Sequence, residues 1–455
     1  MASIPAIVDR FKADPQSFLD DSIIQQACAD AGHTWRRRVL GPVVTVRLLI
    51  VQMLFGNVSC RRLTRIADLA VSVTAYVNAR MRLPIDVLGM VLWRLNDEAR
   101  RRTADVDHFR GFRGWLGHRV MFIDGSGVSM PDTKALREAF GVPGRVLEGC
   151  GFPVMHTLWL FDAATGLIVD YIVGRWNRHD LADAAKLHPM MEDGDVLVGD
   201  RAFCSYAHLA LLLQGNLHAL LRAHQRLIVS FVLGRKAKHQ RPKRRRRGAP
   251  CSRWMQRLGA SDQLVEWRRP RTRPAWMDED TFQKLPERIV VRELRYTIER
   301  PGFRTTSVTL VTTLLDPRKY SKHDLAELYR SRWQIETNLR HLKQTMGMNV
   351  LRCKTVDGVK KELLAYAIAY NLVRLHMLDA AQRQGVPPDR ISFIDAMDVL
   401  RYVHHARDLL ELTINPDRPG RDEPRVIKRP KDRYTYMTRP RDELRQALGI
   451  TRHVA

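Results

Sequence analysis

Cysteine is scarce in this chain: six occur in 455 residues, at positions 28, 60, 150, 204, 251 and 353. They are widely scattered and form no Cys-x2-Cys pair, so neither a zinc site nor a disulfide framework is indicated. Such usage fits a reducing compartment, and the cytoplasm is the expected location. No apolar run reaches the roughly 18 residues of a membrane-spanning helix. The nearest, Val43 to Phe55, is interrupted by Arg47 and Gln52 and reads as a buried helix. The opening MASIPAIVDRFKADP lacks a basic segment followed by an apolar one, so no signal peptide is expected. Acidic residues are also short, 49 against 75 lysines and arginines, for a formal net charge of +26. A surplus that large favours a polyanion, with nucleic acid the leading partner. At 455 residues and 45% hydrophobic, the chain can bury a sizeable core in more than one domain.

What is present is concentrated in YRSRWQIETNLRHLK, a helix-like run from Tyr329 to Lys343. Tyr329, Arg332, Glu336 and Lys343 share one face of such a helix, with a small drift per heptad. A carboxylate among cations suits a metal ion and a phosphate at one site, which is the chemistry of cutting or joining nucleic acid. The plainer alternative is a surface pair, Arg332–Glu336, worth roughly 0.3 kcal/mol.

Two further segments bear on that choice. Val120 to Ile123 form an apolar run ended by Asp124-Gly125, and Val196 to Val198 form another ended by Gly199-Asp200. Both read as buried strands with an aspartate where the strand stops. Ligand sites collect just outside strand ends in sheets covered by helices, although aspartate after a strand is also ordinary turn chemistry. Taken together, Asp124, Asp200 and Glu336 offer three hard carboxylates with no nearby Cys or His cluster. That donor set suits Mg²⁺ or Mn²⁺ and not zinc.

With these residues the chain resembles the DDE transposases of bacterial insertion sequences, in the branch marked by Tyr-x2-Arg-x3-Glu-x6-Lys. The signature is complete as Tyr329, Arg332, Glu336 and Lys343. Asp124 in IDGSGVSMPDT resembles the first catalytic aspartate and Asp200 in GDRAF the second, with Ala202 where the family more often has Gly. The resemblance runs from about Phe122 to about Arg441. It implies two metal ions per site: Asp124 binding both, Asp200 one and Glu336 the other. It also implies cleavage at element ends and strand transfer into target DNA. Tyr329, Arg332 and Lys343 would contact DNA, and a homodimer would hold two double-stranded DNA ends. No membrane partner is expected.

The expected fold class is α/β: a ribonuclease-H-like mixed sheet with flanking helices, interrupted by a β-rich insertion and preceded by a helical domain. Residues 1–115 read as helical, with periodic stretches at Ile23–Ala29, Val43–Phe55 and Ile85–Leu95. Residues 60–84 read as two short helices about a turn near Ser72, the second from Val73 to Met81. They could form a helix-turn-helix-like unit with Arg80 and Arg82 on phosphates, or a plain basic hairpin. Residues 116–226 are the first part of the catalytic core. They hold a hairpin of 155–162 and 166–174, a helix from about Asp180 to Glu192, the Asp200 strand and a strand at Leu217–Leu221. Residues 227–315 are the insertion. It opens with a basic run, 234–248, whose Arg244 and Arg245 are candidate DNA contacts. It closes with a hairpin of 287–298 and 304–315 around Pro301-Gly302. Trp254, Trp267 and Trp276 lie within it, and one of them could stack on an extruded base. Residues 316–385 are the second part of the core and 386–455 a C-terminal segment with a basic tail. A nuclease that cuts without joining, or a DNA-binding protein without turnover, would draw on the same residues.

Overall fold

The structure, a computed structural model, describes residues 19–36, 38–66, 71–104, 114–144, 150–227, 229–234, 249–297, 307–402, 411–416 and 439–449. Arg244, Arg245, Pro301-Gly302 and most of the basic tail lie outside the described residues.

Among the described residues five helices come first: α1 (Asp21–Asp30), α2 (Pro42–Leu54), α3 (Cys60–Ile66), α4 (Val73–Arg82) and α5 (Ile85–Ala104). Their starts follow capping chemistry. Asp20 accepts from the Ser22 N–H ahead of α1, and Ser72 from the Ala75 N–H ahead of α4. Nearly all of α2 is buried, including Arg47, which tolerates burial because it pairs with Asp21 at 2.6 Å and donates to the Leu19 carbonyl.

Among the described residues nine strands then form one mixed sheet. They are β1 (Val120–Ser129), β2 (Val154–Asp162), β3 (Ile168–Arg175), β4 (Val196–Gly199), β5 (His218–Arg222), β6 (Cys251–Gly259), β7 (Asp262–Arg268), β8 (Arg288–Thr297) and β9 (Ser307–Thr312). Their order across the sheet is β3-β2-β1-β4-β5-β9-β8-β7-β6. The first three pair antiparallel, β1, β4 and β5 pair parallel, and β9 returns antiparallel on β5. The insertion strands therefore continue the core sheet. Alternation divides the strand residues between two cores. Val120, Phe122, Val196 and Val198 face the N-terminal helices and a long buried helix, Val356–Gln384. Met121, Ile123 and Leu197 face the other side, where Leu181 and the Tyr206–Gln214 helix pack.

The remaining helices are α6 (Lys134–Phe140), α7 (Asp180–Ala184), α8 (Tyr206–Gln214), α9 (Glu279–Lys284), α10 (Lys322–Ser331), α11 (Trp333–Arg340), α12 (Val356–Gln384), α13 (Phe393–Tyr402) and α14 (Arg441–Ala447). The helix expected over 180–192 is thus one short turn of α7. A 3₁₀ segment, Ala185–Met190, follows it and contains Pro189, which has no N–H to continue an α-helix. The run 329–343 is also not one helix: it breaks at Arg332 and ends in a π turn, His341–Thr345. The β6–β7 hairpin was not expected as such. It turns at Ala260-Ser261, where Ser261 has φ of 63°.

One buried carboxylate joins the helical domain to the core. Glu362 of α12 accepts from the Arg352 and Cys353 N–H groups, each at 2.8 Å, and from the Asn57 side-chain amide. Within the insertion, buried Arg292 donates to both oxygens of Asp262, at 2.8 and 2.6 Å, and to the Tyr320 carbonyl. Among the described residues no helix is long and apolar enough to cross a membrane.

Candidate active site

Strand register brings the two aspartates together. Parallel pairing of β1 with β4 ends at Ile123–Gly199, so Asp124 and Asp200 are the next residues on adjacent strands. Both keep the parity of Phe122 and Val198, so both face the α11–α12 side of the sheet. β1 does not stop at Asp124, as the sequence suggested. It runs on to Ser129 against β2, with its other edge free of β4 beyond Ile123 until Ser129 bridges Val350 in parallel.

The neighbouring glycines are there for close packing and not for a turn. A Cβ on Gly125 would collide with the Asp180 carboxylate, and one on Gly199 would lie 2.9 Å from Phe203 and 3.0 Å from Ile123. The Asp124 carboxylate accepts from the Gly125 N–H at 2.9 Å. The Asp200 carboxylate accepts from the Ala202 N–H at 2.7 Å and so caps the 3₁₀ turn Arg201–Phe203.

Arg332, at the junction of α10 and α11, reaches from this pair to the third acid. Its guanidinium is 3.9 Å from Asp124 and 3.0 Å from Glu336. It lies over the rings of Tyr329 and Trp333, 5.8 Å from each centroid. Its Nε is buried with no partner, which leaves one donor unused. Lys343, on the π turn, donates to Ser126 Oγ at 3.0 Å and to the Gly127 carbonyl at 2.8 Å. Arg332 and Lys343 therefore reach β1 on either side of Asp124, and Tyr329 and Glu336 join the group through Arg332.

Burial shapes the charges here. It pushes the Asp124 carboxyl up to about 6, and the carboxylates of Asp200 and Asp180 add to the shift while Arg332 and the Gly125 N–H oppose it. Burial likewise pushes the Tyr329 phenol up to about 12, so it stays protonated as a donor. Burial lowers the Lys343 pKa. It also works against the charge on Arg332, where Tyr329, Asp124 and Glu336 outweigh it and raise the pKa.

Sequence reasoning missed Asp180. It presses on Gly125 from the opposite face of the sheet and pairs with His156 Nε2 at 2.6 Å. The available signal was His179-Asp180 opening a helix after a strand. The donor set of Asp124, Asp200 and Glu336 has the hard oxygens a divalent cation of the Mg²⁺ type needs, and the raised Asp124 value comes chiefly from its burial, with Asp200 and Asp180 adding to it. As the side chains lie, Glu336 is engaged by Arg332. Among the described residues no three acidic, His or Cys side chains are gathered for a metal ion.

Other expected contacts fare differently. Arg80 turns inward, donating to Gln52 Oε1 at 3.2 Å and to the sulfurs of Cys60 and Cys353 at 3.4 Å each. It is a packing residue where a phosphate contact was expected, while Arg82 is exposed. Trp267 is fully buried and donates to Glu293 at 3.1 Å, which removes it as a stacking platform. Trp276 packs on the second core. Trp254 is half-buried, with an indole N–H that has no partner.

A family model described as the transposase DDE domain matches residues 115–372. Over 454 residues the chain is 25% identical to transposase InsG for insertion sequence element IS4 of Escherichia coli (strain K12), covering 93% of each protein. A shorter match, 30% identical over 116 residues, covers 25% of this chain and 31% of the putative transposase y4zB of Sinorhizobium fredii (strain NBRC 101917 / NGR234). A cryo-EM structure of the piggyBac transposase synaptic complex with hairpin DNA aligns with TM-score 0.38 and 11% identity, over 90% of this chain and 81% of that one. Asp124, Asp200 and Glu336 all fall within the family match, which takes in more than half of the chain. The chain therefore belongs to the transposase DDE domain family, and it is a DNA transposase, an enzyme that cuts DNA and transfers strands.

Proposed function

We propose that this transposase acts at the ends of a bacterial insertion sequence, in the branch with the Tyr-x2-Arg-x3-Glu-x6-Lys signature, and that Asp124, Asp200 and Glu336 are its catalytic acids. One observation carries the reading. The Ile123–Gly199 register leaves Asp124 beside Asp200 on the sheet face where Arg332 links Asp124 to Glu336. The strand order β3-β2-β1-β4-β5, antiparallel and then parallel, supports a ribonuclease-H-like core made of 116–226 and 316–385.

The three carboxylates would hold two Mg²⁺ or Mn²⁺ ions, with Asp124 shared between them. Bound there, the ions would supply Lewis acidity to the attacking and leaving oxygens of the phosphodiester. The protein's own part is positioning. The Arg332 guanidinium, with a donor to spare at Nε, would grip a phosphate beside the scissile bond once Glu336 turns to a metal. Lys343, held at Ser126 and Gly127, would bring a second cation to the same strand. Tyr329 would donate a hydrogen bond from its un-ionised phenol. The 1–115 domain would recognise the element end, the 227–315 insertion with Arg244 and Arg245 would track the backbone, and a homodimer would hold both ends.

The test is cleavage of an end-bearing duplex with Mg²⁺ by Asp200→Asn and Glu336→Gln. Both variants are expected to lose cleavage and keep near wild-type duplex binding. Lys343→Ala is expected to weaken end handling in gel shifts. Wild-type cleavage by Glu336→Gln refutes the assignment, and pre-cut ends measure strand transfer separately.

A further inference from the structure

A cavity of about 700 Å³ lies behind the helix that carries Glu336. Gln334, Thr337 and Asn338 of α11 and His341 of the π turn form one wall, at the i, i+3, i+4 and i+7 spacing of a single helix face. Glu336 is not part of that wall. Opposite are Arg374 and Met377 of α12, the turn between β2 and β3, and the 387–394 segment at the start of α13.

A helix face turned toward neighbouring helices is ordinarily apolar. This one is polar and unpaired. Among the described residues none of its four side chains makes a hydrogen bond. Asn338 is only 6% exposed, and the buried His341 Nδ1 has no partner. Stacking on Phe393, with centroids 4.2 Å apart and planes 11° from parallel, holds the His341 ring in the wall.

Arg374 is equally unusual. Buried Arg47 and Arg292 each pair with an aspartate. Arg374 is 5% exposed and, among the described residues, has no carboxylate partner. Its Nε and Nη2 both donate to the Thr165 carbonyl, at 3.0 and 2.6 Å, and Nη1 has only the Met377 sulfur at 3.9 Å. Burial, with Arg374 and Arg340 adding to it, pushes the His341 imidazole down to about 3, so that ring brings no charge. The acid on the lining, Asp389, is exposed. A buried guanidinium without a counter-charge favours an anion beside it.

The volume is within the roughly 300–1,000 Å³ of small-ligand sites. A side-chain amide presents an acceptor and a donor together, the complement of the N6 and N7 edge of adenine. A guanidinium suits a phosphate, and a carboxylate suits ribose hydroxyls. Met377 and Ile391 supply apolar surface for a ring. We propose that this cavity binds a free adenine nucleotide with a single phosphate, its phosphate on Arg374, its base edge on Asn338 and its ribose toward Asp389. The site is apart from the three acids and does not depend on the transposase reading. Because one wall is the far face of α11, its occupant bears on the same helix as Glu336.

The experiment is isothermal titration calorimetry of adenosine 5′-monophosphate into the full chain, in chelator. The nucleotide should bind one per chain with Kd below about 1 mM. Adenosine and inorganic phosphate should each bind at least about tenfold more weakly. Saturating duplex should leave the binding unchanged. Asn338→Leu should weaken it about 10- to 100-fold by leaving the base edge unpaired. Ile394 lines the cavity yet is 56% exposed, so Ile394→Trp fills the space at a position that tolerates a larger side chain and should abolish binding even if the leucine variant fails to fold. Absence of saturable binding means that the cavity holds water alone and overturns the proposal. Binding that adenosine matches, that the duplex displaces, or that Ile394→Trp leaves at wild-type strength overturns it as well.

Discussion

Replacing Asp124 with Asn is expected to stabilise the metal-free protein while abolishing cleavage. In the folded chain burial and the nearby Asp200 and Asp180 raise this carboxyl to about 6, against an ordinary 3.8. The folded state therefore holds the proton more tightly than the unfolded chain does. Below the unfolded pKa both states are protonated and the group costs nothing. As pH rises the unfolded chain releases its proton first, and the penalty grows until the folded carboxyl also ionises near 6. Above that the native state carries a cost of ~3 kcal/mol, from roughly two pH units at 1.36 kcal/mol each. Asparagine imitates the protonated carboxyl and removes that cost. The gain should be ~3 kcal/mol near pH 7.5 and ~1 kcal/mol near pH 4.5. Unfolding of both proteins in chelator across that range measures it, and Mg²⁺ should stabilise wild type more than the variant. An Asn variant that is no more stable at neutral pH, or whose gain does not shrink on acidification, refutes the argument that crowded acids are held here at the expense of stability.

Two further expectations concern the frame. Glu362→Ala strands the Arg352 and Cys353 N–H groups and the Asn57 amide and should cost about 3–5 kcal/mol in denaturant unfolding. Glu362→Gln keeps one acceptor oxygen and should cost clearly less, so equal losses would deny the role of the carboxylate. Arg292→Met alone should cost about 3–5 kcal/mol by leaving Asp262 charged and buried, and adding Asp262→Leu should recover much of it. A double-mutant cycle with no coupling would contradict the buried pair.

The strands that carry the aspartates were legible because short apolar runs ended by Asp-Gly and Gly-Asp are local signals. What those glycines do was not. Asp180, which crowds Gly125, arrives from a distant segment, and Phe203 reaches Gly199 only because the turn Arg201–Phe203 folds it back. The signature spacing marked the face of Arg332 and Glu336 but gave no sign of the break at Arg332 or of the π turn that delivers Lys343 to Ser126. β6 stayed hidden because CSRWMQRLG is an edge strand with no fully buried position, so the alternation that marks a half-buried strand is lost. Arg80 looked like a surface cation on a basic helix. Its partners include Cys353, 273 positions away, a contact no local pattern announces.

The pairing of β5 with β9 has a mechanical consequence. Residues 220–222 bond to 310–312, so the inserted strands and the strand next to Asp200 share one ladder. Swinging the insertion like a separate lid would require that ladder to rupture. DNA pressing on β6 to β8 should instead tilt the whole platform as a plate. Freedom to rearrange around a substrate then belongs to the articulation at Arg332 and the overwide turn before Met346, the two points where the covering helices depart from regular geometry.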